Sequence, residues 1–499
     1  MKKNIKRFIV CTALSTMFLV NSVYAYENKN ISVNIDNMLQ PFKSSVINKD
    51  GYTLVAFRDL FEMLDIDVDW NDVKRNITAK KGDKILVMNV DTNKATLNGE
   101  YVDMPVSIYI SEGTAYVPLR FVCEVFEMKV EWDSEKQNIS INTGEDDYIY
   151  LDNLYIEDNI KTLPQEEAVK IAQSKNSSIR NLNDAIEYNK KVSLDLNNQI
   201  VGQNYYDPQI EAILKNINSL NAQVKDKDIN QKIIEDSIEL SVVSASVNIK
   251  TTKLNIVVLE ETIEVNEKNI ESLELKYKYG MISESELKQA KDTQNNNKLN
   301  LEALKNSLET QQKNLNNILG QDSDVSVDIT LKDNFDEIDK IDIESYVTTS
   351  KEGDISIQLL KENLKRAEDT RKNYSHSATD EDKIKADNDI KTAQRKLADA
   401  KVNMDNNLRS RYDSLLKMRD TDKSLKLNLN KAIDNYNKIA ANYINGNATL
   451  NQVDQAKLEI LNVEKQIEQN KLNYSISLYT FEKPYLSSSG SPDSSSMEQ

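Results

Sequence analysis

The chain has 499 residues, with 63 Lys and Arg against 80 Asp and Glu, which gives a formal net charge of −17. An acidic surface of this kind argues against nucleic acid and anionic lipid as partners. One histidine and two cysteines leave no meaningful Ser-His-Asp or Cys-His arrangement, and no Gly-rich phosphate loop occurs. We therefore expect a non-enzymatic protein without a cofactor.

The N-terminal segment 1–25 has the organisation of a secretory signal peptide. A basic start precedes an apolar run over residues 8–20, and Val23-Tyr24-Ala25 offers small residues where a signal peptidase cleaves. The prediction is an exported, extracytoplasmic protein starting at Tyr26. An uncleaved anchor is the alternative, although a spanning helix needs about 20 apolar residues. Cleavage changes the net charge from −17 to −21 by removing Lys2, Lys3, Lys6 and Arg7, and no other segment reads as membrane-spanning.

Residues 30–145 contain an internal repeat, which we interpret as a duplicated α+β domain with two β-β-α-β-like halves. The equivalent pairs are Arg58 with Arg120, Glu62 with Glu124, and Trp70 with Trp132. Short amphipathic helices are predicted at 58–64 and 120–126. Asn98-Gly99, between apolar alternations, predicts a β-hairpin. Cys123 is the single cysteine outside the signal peptide, so no intrachain disulfide is expected.

This segment resembles the copper amine oxidase N-terminal domain, or stalk, family across nearly its whole length. The resemblance rests on residues 51–55, Asn98-Gly99, residues 117–122 with Glu124, and the two Val-x-Trp ends. It implies a domain that carries neither metal nor redox cofactor. Copper prefers imidazole or soft sulfur ligands, whereas the single histidine, His376, lies in a polar linker. We expect the duplicated arginines and tryptophans to pack in the core, with a buried or half-buried ion pair to a glutamate. A ligand site is the alternative.

Residues 160–482 change in composition, and their apolar residues recur every seven positions. The series are Ile233, Leu240, Val247 and Leu254; Leu301, Leu308 and Leu315; Ile390, Leu397 and Met404; and Met418, Leu425, Ala432 and Ile439. Such spacing predicts long helices packed along coiled-coil seams. A helix over 228–279 would be roughly 75–80 Å long at 1.5 Å per residue, which predicts a rod.

The helical region is itself duplicated, with the motif around Gly280 recurring around Gly446, and this duplication predicts two helical hairpins. Gly280 and Gly446 suit the left-handed residue that ends a helix, and Ser283 and Thr449 suit the N-cap of the next. Repeat 1 is placed at 160–320 and repeat 2 at 340–482. The candidate partner-contact residues are those at the tips: Tyr277, Gly280, Ser283, Glu286, Tyr443, Gly446 and Thr449.

The helical region resembles the TolC-type outer-membrane efflux protein family across nearly all of 160–482. The opening motif 163–172, the tip 277–290 and the motif 315–320 carry the resemblance. It implies a homotrimer whose hairpins form a tunnel below an outer-membrane β-barrel and whose tips meet an adaptor or pump protein. The chain departs from the family at 198–228 and 373–382, which lack the alternation that transmembrane strands need. The second tip also has Ala448, Gln452 and Gln455 where the family has its gate residues.

The fold class expected is therefore mainly α, with long antiparallel coiled-coil hairpins in two repeats, TolC-like but without the β-barrel, after a small duplicated α+β domain. Two functions fit: a component of an efflux or export assembly in the cell envelope, or a cell-surface structural or adhesive protein that contacts the cell wall and uses the rod as a spacer. An oxidase is excluded, because the histidines and the catalytic domain are missing. The Ser-rich tail, 487–499, is predicted to be disordered.

Overall fold

The computed structural model describes residues 31–40, 46–64, 66–90, 92–144, 161–203, 207–322, 325–331, 335–372 and 379–487. It divides into two compact units. Unit 1 contains Met1–Asp36 and Phe42–Thr143, and unit 2 contains Asn37–Pro41 and Gly144–Gln499. The predicted signal peptide with Cys11, the residue His376 and the predicted tail from residue 488 onward lie outside the described residues.

The duplication predicted for unit 1 is visible element by element. After β1 (Ser32–Ile35) and the two-residue β2 (Met38–Leu39, in unit 2), the first half contains β3 (Ile47–Lys49), β4 (Tyr52–Ala56), α1 (Phe57–Met63), β5 (Asp67–Asn71) and β6 (Asn76–Lys81). Then come β7 (Lys84–Asn89), β8 (Lys94–Leu97) and β9 (Glu100–Asp103), followed by the second half: β10 (Tyr109–Ser111), β11 (Thr114–Pro118), α2 (Leu119–Val125), β12 (Lys129–Asp133) and β13 (Asn138–Asn142). Each half is β-β-α-β-β, one strand more than predicted, because the residues after each Val-x-Trp turn back and pair antiparallel with it.

The strands of unit 1 enclose a large apolar core and a smaller cluster around Leu54, Ala56 and Tyr116. Strands β5 to β9 form an antiparallel meander. In a second sheet, β12 pairs antiparallel with β13, and β1 pairs parallel with β13. In a third sheet, β4 pairs with β11 at the centre. The predicted hairpin at Asn98-Gly99 is confirmed. Both residues have positive φ, 52° and 89°, as the tight turn between β8 and β9 requires. The helices α1 and α2 pack Leu60, Phe61, Leu119 and Val122 into the core.

Unit 2 contains two helical repeats of the same order. The first has α3 (Gln165–Lys175), α4 (Ser177–Ile200), α5 (Pro208–Lys278) and α6 (Glu284–Leu319), and the second has α7 (Ile343–Gly353), α8 (Ile355–Lys372), α9 (Asp380–Ile444) and α10 (Leu450–Glu482). Two 3-10 helices lie at Phe335–Lys340 and Pro484–Ser487. Predicted seam residues such as Val247, Leu254 and Met404 are buried, as the seven-residue spacing indicates.

The longest helix begins earlier than the sequence indicates. Helix α5 starts at Pro208 rather than near residue 228, with Asp207 as N-cap and proline in the first turn. Its 71 residues span about 105 Å. Just beyond residue 220, α5 packs against α4 through polar contacts such as Asn189 Nδ2 to Gln223 Oε1 (3.2 Å). Contrary to the sequence prediction, one window of α5 is long and apolar enough to cross a membrane by composition. However, 61% of it is buried inside the protein, as in the core helix of a soluble protein.

A small parallel sheet, absent from the sequence prediction, joins the starts of the two repeats. It is formed by β14 (Lys161–Pro164) and β15 (Val327–Thr330), with Leu163 paired to Ile329. Leu163, Val327 and Ile329 are buried with the end of α6. These short strands carry too little alternation to be recognised alone, and each has its partner in a distant part of the chain.

The long helices of unit 2 form an open layer rather than a closed bundle. Towards the tips the order across the layer is α6, α5, α10, α9, and towards the other end α4 packs on α5 while α8 packs on α9. Arg366 of α8 donates from Nη1 to Asp226 Oδ2 of α5 at 2.9 Å, which joins the two repeats at that end. Across the described residues, α5 and α10 thus lie in the interior of the layer, while α4, α6 and α9 lie at its edges.

Candidate functional site

The two predicted hairpin tips share one backbone geometry. At the first tip, the N–H of Gly280 donates to the Tyr277 carbonyl (2.9 Å), and that of Met281 to the Lys276 carbonyl (2.8 Å). At the second tip, the N–H of Gly446 donates to the Tyr443 carbonyl (2.9 Å), and the N–H of the next residue donates to the carbonyl five positions before it, as at the first tip. Gly280 has φ +70° and Gly446 has φ +75°. Both are Schellman motifs, in which a left-handed glycine ends the helix.

Each returning helix begins with a capping box. Ser283 Oγ accepts from the N–H of Glu286 (3.2 Å), and Glu286 Oε2 accepts from the N–H of Ser283 (2.8 Å). Thr449 and Gln452 make the same reciprocal pair at the second tip. The structure therefore brings Ser283 and Glu286 together and gives both a structural role, satisfying free N–H groups at the start of α6. Gln452, which we noted as a departure from the family's gate, also serves as a cap.

Protonation of Glu286 is expected to loosen the start of α6. The Ser283 backbone N–H, followed by its hydroxyl, lowers the pKa of Glu286 from its ordinary value of 4.5. Because the folded-state pKa of Glu286 is lower than its unfolded-state pKa, the capping box stabilises the start of α6 at pH values above the unfolded-state pKa. This stabilisation is lost as the pH falls through the lowered folded-state pKa. Hydrogen exchange of the first turn of α6, corrected for intrinsic rates, should show protection falling in acid. The control is Glu286→Gln, which copies the non-titrating cap of the second tip and should remove this pH dependence. A pH dependence that persists in the variant would contradict the assignment.

The two tips differ in what they expose. Leu275, Tyr277, Tyr279 and Met281 are all exposed at the first tip, with Met281 75% exposed. The second tip exposes Ile444 and Leu450, and it has Asn445 and Asn447 where the first has Tyr279 and Met281. Tyr443 is partly buried against α10. The first tip is therefore the more apolar surface, a difference that the matching motifs alone did not indicate.

A ladder of ion pairs with seven-residue spacing fixes the first hairpin. Lysines 291, 298 and 305 of α6 pair with glutamates 274, 267 and 260 of α5, with N–O distances of 2.6, 2.7 and 2.7 Å. The hydrogen bond from Lys298, then its charge, lowers the pKa of Glu267. The seven-residue spacing of these lysines and glutamates is visible in the sequence, but which lysine pairs with which glutamate is known only from the antiparallel register of α5 and α6. Such pairs specify register more than they add stability.

Reversing the ladder should weaken the first hairpin. The variant Lys291→Glu/Lys298→Glu/Lys305→Glu places like charges opposite each other, so we expect a melting temperature lower by a few degrees and a difference that added salt suppresses. Melting followed by circular dichroism at low and high salt measures this. The matched control also carries Glu260→Lys, Glu267→Lys and Glu274→Lys, which restores opposite charges. If this swap failed to recover stability, the ladder would have no role in pairing the helices.

The edges of the layer carry exposed apolar side chains that the sequence analysis did not single out. Away from the tips, the large apolar helix residues that are exposed in the described part of unit 2 all lie on α4, α6 and α9. They are Tyr188, Leu194, Leu299, Ile384, Val402 and Leu427, each 59–67% exposed. The interior helices α5 and α10 expose large apolar residues only near the tips. The exposed large apolar side chains of these long helices therefore lie on the edge helices of the layer and, away from the tips, not on its interior helices.

The duplicated polar residues of unit 1 lie at its surface, and its two duplicated tryptophans differ in burial. Arg120 makes an exposed pair with Glu124 at 3.7 Å, and the Arg58 guanidinium lies 5.4 Å from the Phe57 ring centroid. The expected buried or half-buried ion pair is wrong, because α1 and α2 turn these polar residues outward while Phe57 and Leu119 fill the core; Glu62 is likewise exposed. Trp70 packs against the core, whereas Trp132 is exposed.

The metal and thiol chemistry open to the described residues is narrow. Cys123 is a free, fully buried thiol, and burial raises its pKa to about 12. A thiol of this kind is a poor nucleophile at neutral pH. Within the described ranges, no group of three or more His, Cys, Asp or Glu side chains is placed to hold a metal ion.

Comparison with known proteins finds one family model and several similar solved structures. The family model, the copper amine oxidase N-terminal domain, matches residues 33–141. Among solved structures, the chain is similar to the outer membrane protein VceC of Vibrio cholerae (10% identity, TM-score 0.46, 64% of this chain and 95% of that one) and to the CmeC outer membrane channel of Campylobacter jejuni (12%, 0.48, 68% and 92%). It is also similar to the MtrE outer membrane channel of Neisseria gonorrhoeae (10%, 0.42, 64% and 88%). No curated protein sequence matches the chain.

Proposed function

We propose that this protein is a non-enzymatic component of an efflux or export assembly in the cell envelope, in which copies of unit 2 close into a ring around a conduit. The observation that carries this proposal is the open layer with apolar side chains exposed along its edge helices. An open layer closes when the α9 edge of one copy packs against the α4 and α6 edge of the next. This is a head-to-tail contact, which generates cyclic symmetry. The sequence resemblance implies three copies.

The tips are the proposed contact with a further protein. The first tip exposes four apolar side chains on a rigid, doubly capped turn, and exposed apolar patches mark protein interaction sites. We infer that Leu275, Tyr277, Tyr279 and Met281 face an adaptor or pump protein, with the second tip as a more polar neighbour in the same contact. The alternative, a surface protein whose rods act as a spacer, needs no ring.

Oligomeric state tests the ring. Mass measured by sedimentation or light scattering should give three copies for the chain that starts at Tyr26. The variants Leu299→Glu and Val402→Glu place a charge on each edge, and each should shift the population to monomer. Tyr101→Glu, which alters an 82% exposed side chain of unit 1, is the matched control and should leave the mass unchanged. A wild-type monomer at all concentrations would favour the spacer function.

Crosslinking tests the tip contact separately. A photoreactive side chain at Met281 should capture, in the envelope of the native cell, a partner whose contact region is itself a helical hairpin. The same side chain at Tyr101 is the control. Capture at both positions, or at neither, would contradict a specific contact at the first tip even if the ring were established.

A further inference from the structure

Unit 1 contains a groove of about 650 Å³ that is lined by residues of both of its halves. Its lining includes Tyr52, Asp103, Arg120, Glu124 and Trp132, and all of these belong to unit 1. A volume of this size falls within the range of about 300–1,000 Å³ that is typical of small-ligand sites. The proposed conduit makes no use of this groove.

The duplication provides an internal comparison for the groove. In the first half, the Phe57 ring packs against Trp70 with centroids 6.4 Å apart. The residue equivalent to Phe57 in the second half is Leu119, which is smaller and fully buried. The two halves share one backbone arrangement, but the Phe57 ring fills the space beside Trp70, whereas the space beside Trp132 is open.

The two tryptophans differ accordingly in their surroundings. Trp70 is partly buried and its indole N–H lies 3.3 Å from Asp72 Oδ1. Trp132 is 43% exposed, and among the described residues its indole N–H has no partner. The Arg120 side chain is bound to the backbone of β12, because its Nη1 donates to the Val130 carbonyl at 2.9 Å. The ring of Trp132 is thus presented to the groove.

The groove combines aromatic surface with polar groups at its rim. Tyr52 and Trp132, each 43% exposed, offer ring surface, and the carboxylates of Asp103 and Glu124 accept hydrogen bonds. A sugar ring has the complementary chemistry, with apolar C–H faces that stack on aromatic rings and hydroxyls around its edge that donate. Two carboxylates against one arginine in the groove, together with the net charge of −17, oppose an anionic polymer.

We propose that this groove binds a neutral saccharide. Trp132 and Tyr52 stack on the sugar faces, while Asp103 and Glu124 accept hydrogen bonds from its hydroxyls. The indole N–H of Trp132 donates to a ring or hydroxyl oxygen. The site is independent of ring formation by unit 2, so it holds whether the protein forms a conduit or a spacer.

Titration of the full chain with chitotetraose and with cellotetraose tests the proposal. Calorimetry should detect binding of at least one of these neutral probes. The chain has two tryptophans, so the variant Trp70→Phe makes Trp132 the single tryptophan, whose fluorescence can be excited selectively. Its emission should shift with the same affinity. Trp132→Ala should weaken binding about tenfold, which corresponds to the loss of one aromatic contact. Tyr52→Ala, in which a second exposed ring is removed, should also weaken it.

Three results would overturn the proposal. The first is that neither probe binds the wild-type chain. The second is binding that Trp132→Ala and Tyr52→Ala leave unchanged, which would place the sugar elsewhere. The third is tighter binding of decaproline than of either saccharide, since aromatic-lined grooves also dock polyproline segments. Circular dichroism of each variant establishes that the fold is retained.

Discussion

Replacing Lys483 by methionine is expected to lower the free energy of unfolding of unit 2 by about 3 kcal/mol, because removing one partner of a buried ion pair leaves the other charge uncompensated. Asp236 of α5 is only 2% exposed. Its carboxylate binds the Lys483 ammonium at the end of α10 and the Tyr485 hydroxyl just beyond it. Burial, followed by the hydrogen bond to Asp236, raises the pKa of Tyr485, so this hydroxyl stays protonated and donates.

Urea unfolding followed by far-UV circular dichroism measures the loss. The control is the double variant Asp236→Asn/Lys483→Met, which removes both charges and should recover much of the stability. Lys232, whose ammonium lies 3.8 Å from Asp236, is mostly exposed, and Lys232→Met should have a much smaller effect. Equal losses in the single and double variants would show that Lys483 does not act by compensating Asp236, but through packing or through its second ion pair, with Glu239 at 3.2 Å.

Both duplications could be predicted from the sequence, because a repeat imposes the same local structure twice. Strands β3 and β10 begin at the equivalent positions Ile47 and Tyr109. Gly280 and Gly446 end their helices in the same left-handed conformation. Glycine, the capping serine and threonine, and the heptad spacing are local signals, so the tips were found and the candidate tip residues lie where the motifs placed them.

The features that position the site could not be predicted in the same way, since they depend on how distant segments meet. Lys483 and Asp236 are 247 positions apart, and nothing in the local pattern of either indicates the other. Leu299 and Val402 lie two positions before the seam residues Leu301 and Met404, outside the seven-residue series, and their place on edge helices is known only once the order of the helices across the layer is known. The groove beside Trp132 is lined by segments as far apart in the chain as Tyr52 and Ile139, which a comparison of the motifs alone does not bring together.

The second repeat is shorter than the first in a way that antiparallel pairing explains. Helix α8 has 18 residues against 24 in α4, and α9 has 65 against 71 in α5. Helices α8 and α9 are therefore each six residues shorter than α4 and α5, while the α8–α9 connection has the same length as the α4–α5 connection. Paired arms must end at the same level, because an unmatched arm would leave its apolar face in water. The shortening of α8 is thus matched by an equal shortening of α9, and the register of the helices towards the second tip is kept.

Replacing Phe481 by alanine is expected to cost about 3–5 kcal/mol, the range for a large aromatic side chain removed from a packed core. Phe481, near the end of α10, is fully buried. Its ring stacks on Tyr346 of α7 with centroids 4.6 Å apart, and Tyr412 of α9 lies at 6.2 Å. One side chain therefore joins three helices of the second repeat, and the cavity left by alanine cannot be filled by any one of them alone.

Unfolding of unit 2 by urea measures this loss, and hydrogen exchange locates it. Protection should fall first in α7 and the last turns of α10, while the first tip keeps its protection because it lies in the other repeat. Phe481→Leu retains much of the volume and should cost less, and Tyr101→Ala at an exposed site should cost almost nothing. Should Phe481→Ala leave stability unchanged, the aromatic cluster would not be what holds α7 against α10, and buried aliphatic side chains such as Val347 would have to hold it instead.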